Sequence, residues 1–413
     1  MNREQGSEIG DGGTALCAAS VPCPPTPLPR PLTAVVLTGG GARAAYQVGV
    51  LRAIRDLLPD PRRNPFPIIC GTSAGAVNAA SLAAFAEDFG RAVDAIHEVW
   101  ANFHVNHVYR ADALGVALSG GRWLALLMFG WFLRQNPRSV FDNTPLRRLL
   151  ERTLDFAGIE RAIGQGALYA VSITATGYLT GQSITFFQGA PDIQPWSRTQ
   201  RHAARTRLSV DHLLASSAIP FIFPATRIHR EFFGDGSMRQ LAPISPAIHL
   251  GAGRILVIGS GFLGEDKIRA RAETYPSFAQ IAGHALASIF LDGLAVDLER
   301  IRRINQMLDR LPDGVADKAA LGLRPIETLV IAPSQRIELI AAQHVGALPG
   351  PVRRLLGGLG GTAQTGAMLA SYLLFEIPFT RALIELGYAD AMARREDLVA
   401  FLAVDASHGC DPG

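Results

Sequence analysis

Three short stretches hold the residues whose types and spacing could do chemistry. Gly71-Thr72-Ser73-Ala74-Gly75 is a Gly-x-Ser-x-Gly sequence, the pattern of a nucleophilic serine on a sharp strand-to-helix turn, where large neighbours would collide. With 42 glycines in the chain, the same pattern also arises as a glycine-flanked serine in a loop or cap. Its surroundings favour the first reading. A short apolar run, Phe66 to Cys70, precedes it, and an alanine-rich helix is predicted from about Ala74 to Ala86. Ser73 would then stand at a helix N-terminus, facing the positive end of its dipole.

The second stretch is Gly39-Gly40-Gly41-Ala42-Arg43. It puts unencumbered backbone N–H groups between a strand and a helix, an arrangement able to hold an oxyanion. Gly39, Gly41 and Ala44 also satisfy a dinucleotide fingerprint. That reading requires an acid near the end of the next strand for the ribose, and the next strand ends at Cys70 and runs into Gly71. A second match, Gly259 to Gly264, opens no convincing helix and is read as a loop.

A serine needs a base. Ten histidines are available, among them His212, His229, His249 and His284, and none sits in a context that marks it as catalytic. Ser73 also follows only two strands, unlike the nucleophile of an ordinary Ser-Asp-His hydrolase. The third stretch, Phe232-Phe233-Gly234-Asp235-Gly236-Ser237, places an acid between glycines at the end of an aromatic strand. Such an acid can approach another backbone closely, although taken alone the same residues form an ordinary Asp-Gly turn.

The elements that would position these residues alternate. A buried strand is expected from Ala34, a helix over Ala42 to Leu58, a strand at Phe66 to Cys70 and the alanine-rich helix after it, an order that implies parallel strands with crossover helices. Ala167 to Thr174 and Gln182 to Phe187 suit a hairpin, so the sheet is expected to be mixed. Phe232 to Gly236, Arg254 to Ile258 and Thr328 to Ile331 are further strand candidates. Ser277 to Leu311 and Met368 to Leu402 are expected helices, the latter interrupted at Pro378, and Gly357 to Gly361 a flexible loop.

Taken together, Gly39 to Arg43, Gly71 to Gly75 and Asp235-Gly236 resemble the patatin-like phospholipase family in order and spacing. Ser139 to Leu146 and Ala215 to Pro220 look like the family too, and the resemblance covers about residues 33 to 250. It implies a Ser-Asp dyad without histidine, in which Ser73 is acylated, Asp235 takes its proton, and Gly39, Gly40, Gly41 and Arg43 form the oxyanion hole. Gly71, Gly75 and Gly236 complete the motifs. It also implies a three-layer α/β/α fold with a central, mostly parallel sheet, and a substrate that is a phospholipid or other long-chain lipid ester, cleaved without metal or cofactor. Two positions depart from the family pattern: Ala44 stands where glycine is usual, and Ser237 follows Asp235-Gly236. Acyl transfer through the same acyl-enzyme, and lipid binding without turnover, are the competing functions.

The organisation expected is an unpacked proline-rich leader over 1–32, a catalytic domain over 33–250 and a mainly helical region over 251–413 that completes or caps it. A formal charge of +3 with no dense Lys or Arg run argues against a nucleic-acid partner. Four scattered cysteines, Cys17, Cys23, Cys70 and Cys410, suit a reducing compartment. Neither an N-terminal signal core nor an apolar run of the roughly 20 residues that cross a bilayer is evident. The expected location is therefore cytoplasmic, with peripheral contact to a membrane. Trp123 to Leu133, apolar all round and flanked by Arg122, Arg134 and Arg138, reads equally as a core helix or as an interfacial lid.

Overall fold

Alternation along Leu32–Leu37 (β1) sends Val35 and Leu37 to one face of a sheet and Ala34 and Val36 to the other, and both pairs are buried. A strand covered on both faces needs helices on both sides. In the computed structural model, which describes residues 32–110, 139–262, 264, 275–310, 323–358, 360 and 366–403, that is the arrangement. The proline-rich leader, apart from Leu32, and the whole Trp123 to Leu133 segment lie outside the described residues.

The remaining strands are β2 (Ile68–Thr72), β3 (Ala170–Gly177), β4 (Ser183–Gly189), β5 (Ser197–Arg198), β6 (Arg201–Arg205), β7 (Thr226–Ile228), β8 (Glu231–Asp235), β9 (Ala252–Ile258) and β10 (Glu327–Ile331). Their order in the sheet is β10-β9-β1-β2-β3-β4-β6-β5, with the β7–β8 hairpin joined to β3. The first five run parallel. The β3–β4 hairpin then turns the sheet antiparallel. The sheet is thus mixed and mostly parallel, as the alternation of strands and helices predicts.

One face is covered by α1 (Ala45–Leu57), α2 (Ala74–Ala84), α3 (Phe89–Ala101) and the helix Ile377–Ala393. The other is covered by Ser245–His249 and by Leu294, Leu298 and Ile301 of Gly293–Arg310. The sheet continues past residue 250: β9 pairs with β1 along its whole length and carries β10 on its other side.

Several element boundaries differ from expectation. The helix expected from Ala42 opens as a 3-10 turn, Gly41–Ala44, before α1 begins. The tail is interrupted at Pro378 as expected: the helix Ala367–Leu373 ends and Pro378 lies in the first turn of Ile377–Ala393, where a proline has no N–H to lose. Gly357 and Gly358 end the helix Gly350–Gly358 and are not loop. Phe278–Arg310 is a continuous 33-residue helical run, long and apolar enough by length and composition to cross a membrane. Gln280, His284 and Asp292 break the apolar run in the sequence, which is why no segment of that length was evident there.

Candidate active site

β3 is paired by β2 only as far as Thr174, opposite Thr72. At the next residue, Ala175, its partner on that side is Asp235 of β8. β8 therefore enters the sheet where β2 leaves it, and the handover sets Asp235 beside the residue that follows β2. That residue is Ser73, whose Oγ donates a 2.6 Å hydrogen bond to Asp235 Oδ2 across 162 residues of chain.

Ser73 has φ 55° and ψ −129°, a backbone conformation costly for a residue with a Cβ and held only where the surroundings over-determine it. Here they do. A Cβ on Gly75 would collide with the Leu37 carbonyl oxygen, so only glycine lets α2 start this close to β1. The Ser73 N–H donates to Ser216 Oγ at 2.8 Å, and the Ser216 hydroxyl donates to the Thr174 carbonyl at 2.6 Å. The elbow is thereby bolted to the end of β3.

Asp235 is fully buried. Its pKa is pushed up to about 6, because burial penalises the carboxylate more than the hydrogen bonds from Ser73, the Ser237 N–H and the Ser237 hydroxyl favour it. The Ser237 N–H donates to Oδ1 at 2.9 Å, leaving Oδ2 to Ser73. The departure at Ser237 thus belongs to the cradle of the acid, and Gly236 lies against the Thr174 carbonyl, where a Cβ would collide. A carboxylate tuned upward and bonded to a serine hydroxyl is suited to accept its proton.

The Gly39 to Gly41 turn abuts the same point: a Cβ built on Gly39 would lie 3.0 Å from Ser73 Cβ and 2.5 Å from Ser237 Oγ. Gly41 has φ +56°, and a Cβ there would strike the Tyr372 carbonyl. Among the described residues, no hydrogen bond uses the N–H groups of Gly39 or Gly40. Ser260 Oγ donates to the Gly39 carbonyl, and Thr38 Oγ donates to Ser260 Oγ at 3.4 Å. The Phe290 ring, from a π-helical turn at Ser288–Asp292, covers Gly39. Such turns displace a side chain from the helical repeat and are frequent at functional sites.

Arg43 is not brought to Ser73. Its N–H donates to the Gly40 carbonyl at 3.1 Å. Its buried guanidinium bonds Ser371 Oγ through Nε at 2.8 Å, lies 4.1 Å over the Tyr372 ring and is 4.0 Å from Glu338 Oε2. These partners sit on the helices Ile337–His344 and Ala367–Leu373, so Arg43 ties the turn to the C-terminal helices.

No histidine among the described residues is hydrogen-bonded to Ser73 or Asp235. His212 bonds Ser209 Oγ at 2.9 Å as a helix cap, and His249 stacks on Trp196. Burial pushes both down to about 4, so both are neutral structural rings at pH 7. Among the described residues, no group of three His, Cys, Asp or Glu side chains could hold a metal. Ser216 and Ser260 carried no role in the sequence reading. Ser216 lies inside the Ala215 to Pro220 stretch already noted, and Ser260 inside the second glycine-rich match.

Comparison with known proteins gives consistent findings. The family model described as "Patatin-like phospholipase" matches residues 35–248. The chain is 30% identical over 209 residues to a "cGAMP-activated phospholipase" of Pseudomonas aeruginosa, covering 51% of this chain and 53% of that protein. It is 39% identical over 74 residues to a "cUMP-AMP-activated phospholipase" of Escherichia coli, covering 18% of this chain and 21% of that one. It thus spans about half the length of the first relative and about a fifth of the second. Among solved structures, VipD from Legionella pneumophila aligns over 89% of this chain and 67% of its own, with TM-score 0.37 and 13% identity.

Proposed function

The chain belongs to the patatin-like phospholipase family, and from that premise we propose that it is a serine lipid acyl hydrolase, cleaving carboxylic esters of membrane lipids with Ser73 and Asp235 as its dyad. The observation that carries the reading is the 2.6 Å bond between Ser73 Oγ and Asp235 Oδ2 inside a fully buried site.

Ser73 Oγ attacks the ester carbonyl carbon as Asp235 Oδ2 takes the hydroxyl proton. The carbonyl oxygen becomes an oxyanion beside Gly39 and Gly40, whose N–H groups have no competing acceptor among the described residues. The Ala74 N–H, first in α2, also has no intrahelical acceptor by its position. Collapse of the tetrahedral species breaks the bond to the alcohol, which leaves with the proton from Asp235, and Ser73 stays acylated. Water then attacks the acyl-enzyme with Asp235 as base, releasing the fatty acid and free Ser73.

The same acyl-enzyme could pass its acyl group to an alcohol. Ser73 is only 1% exposed, and exclusion of water favours an acceptor other than water. Product analysis with and without added glycerol separates the two outcomes.

Reaction of the purified protein with a fluorophosphonate probe, read by intact mass, tests the dyad. A single adduct in the wild type that is absent from Ser73→Ala and Asp235→Asn is expected, whereas an adduct of unchanged extent in Ser73→Ala would sink the assignment. Phospholipid turnover should be measured with and without cGAMP and cUMP-AMP, the activators in the relatives' names.

A further inference from the structure

Large apolar side chains are exposed on three segments that meet at the end of the sheet where Ser73 and Asp235 sit. The β3–β4 turn exposes Leu179 (81%), the β7–β8 hairpin Phe232 (53%), and the chain after the Gly236–Arg239 turn Leu241 (66%). Register makes these neighbours: β8 pairs antiparallel with the last residues of β3, so the hairpin projects past the carboxyl end of that strand. The Tyr178 N–H donates to the Phe232 carbonyl at 2.9 Å, and Glu231 accepts from the Leu179 and Thr180 N–H groups at 2.9 and 2.8 Å.

A fourth segment is the helix Phe278–Arg310. It is anchored over the site by Phe290 against Gly39 and by Gly293, whose added Cβ would lie 2.8 Å from the Gln240 carbonyl. Its outward positions recur at helical spacing, 278, 281, 285, 288, 292 and 296, and include Phe278 and Ile281. Only 33% of its most apolar window is buried within the protein, so most of that window is left for something else to cover.

The charges around this rim select the partner. Arg227, Arg230 and Arg239 are exposed and form no ion pair among the described residues. Of the nearby acids, Glu231 is engaged by the turn N–H groups, Asp292 lies on the outward face of the helix, and Glu299, one turn beyond Val296, is paired with Arg303. Apolar side chains set among arginines that have no carboxylate partner among the described residues match an anionic lipid surface, which offers both acyl chains and negative head groups. A symmetric contact between two copies would instead bring like patches, and like charges, together.

We propose that this rim, formed by the β3–β4 turn, the β7–β8 hairpin and the outward face of Phe278–Arg310, is the surface by which the protein docks on anionic bilayers, presenting the mouth of its site to lipid. The proposal rests on the lipid-hydrolase reading for its purpose, but docking is measured without turnover.

Cosedimentation of full-length Ser73→Ala protein with phosphatidylcholine/phosphatidylglycerol vesicles, against pure phosphatidylcholine, reads docking alone. Leu179→Asp and Ile281→Asp, each added to that background, are expected to weaken binding to the anionic vesicles about tenfold. Val399→Asp, at an exposed apolar residue on another helix, serves as the control and is expected to bind as the parent does. Melting temperatures close to the parent's confirm that a variant is folded, and Leu179→Ser replaces Leu179→Asp if it is not. Equal binding by all variants, or no binding by the parent, overturns the proposal, as does light scattering that shows the rim variants breaking a dimer. If the parent binds and the rim variants do not, while the wild type hydrolyses neither vesicles nor a soluble short-chain ester, docking stands and the hydrolase reading fails.

Discussion

The end of the sheet that holds Ser73 and Asp235, and the C-terminal helices that press on it, are built in opposite ways. In the first, two turns are local in sequence, each glycine-rich and following a strand, while Asp235 and Ser216 come to them from far along the chain. The second is assembled at long range, with Arg43 reaching Ser371 across 328 residues and the Tyr372 carbonyl filling the space beside Gly41. Reacting groups can thus be specified by short motifs, while the rigidity they need comes from a region with no motif at all. Electrostatic stabilisation of a transition state depends on donors that do not have to reorganise, so the second region is expected to matter to rate and not only to folding.

The largest effects should come from the first region. Ser73→Ala and Asp235→Asn are expected to lower kcat on phospholipid vesicles by about four orders of magnitude. Asp235→Asn should at the same time stabilise the protein at alkaline pH. The acid has a higher pKa folded than the 3.8 of an ordinary aspartate, so the folded state binds the extra proton between about 4 and 6, and stability falls as pH rises through that window. A melting temperature at pH 8 that is not raised in Asp235→Asn would contradict the burial cost assigned to this group.

Next in size is the contact between the regions. Gly41→Ala must resolve both a positive φ and a collision with the Tyr372 carbonyl, and a loss of about 1–3 kcal/mol of stability is expected from chemical denaturation. Arg43→Ala and Ser371→Ala should then lower kcat about tenfold with KM little changed. Ser371→Thr, which keeps the hydroxyl, should recover most of the loss. If Arg43→Ala leaves kcat intact, the C-terminal helices are packing alone and the contrast between the regions collapses.

The smallest expected effects sharpen the first region. The acid limb of the kcat/KM profile should lie near the pKa of about 6 assigned to Asp235, with activity rising as pH rises through it, because only the carboxylate accepts the proton. Ser237→Ala removes a hydroxyl that favours the carboxylate and should move that limb to slightly higher pH. A limb that stays put would mean that the Ser237 hydroxyl has no part in the tuning, leaving it to burial, Ser73 and the Ser237 N–H.

The elbow, the glycine turn and the β3–β4 hairpin were legible in sequence because each depends on neighbours within about ten residues: small side chains at a tight turn, an apolar run before it, a helix after it. The placement of Asp235 was not, since it depends on which residue of β3 loses β2 as a partner, a matter of register between strands far apart in the chain. Ser216 and Ser260 were missed for a related reason. A serine that bridges two backbones looks like any other until both backbones are in place. Arg43 shows the converse, since its motif position says nothing of where a long side chain turns, and the buried Ser371 and Tyr372 were there to receive it.

The handover from β2 to β8 along β3 has one more consequence. Because the partner of Ser73 is fixed by adjacent rungs of a single ladder, the spacing of the pair does not depend on the length of chain that connects them. Connecting loops between the elbow and the β7–β8 hairpin, outside β3 and the Ser216 to Ala218 stretch that bonds the two residues, can change in length without altering the distance between Ser73 and Asp235. The proposed dyad would thus sit as a socket in a rigid frame, with only the connecting loops around it open to remodelling.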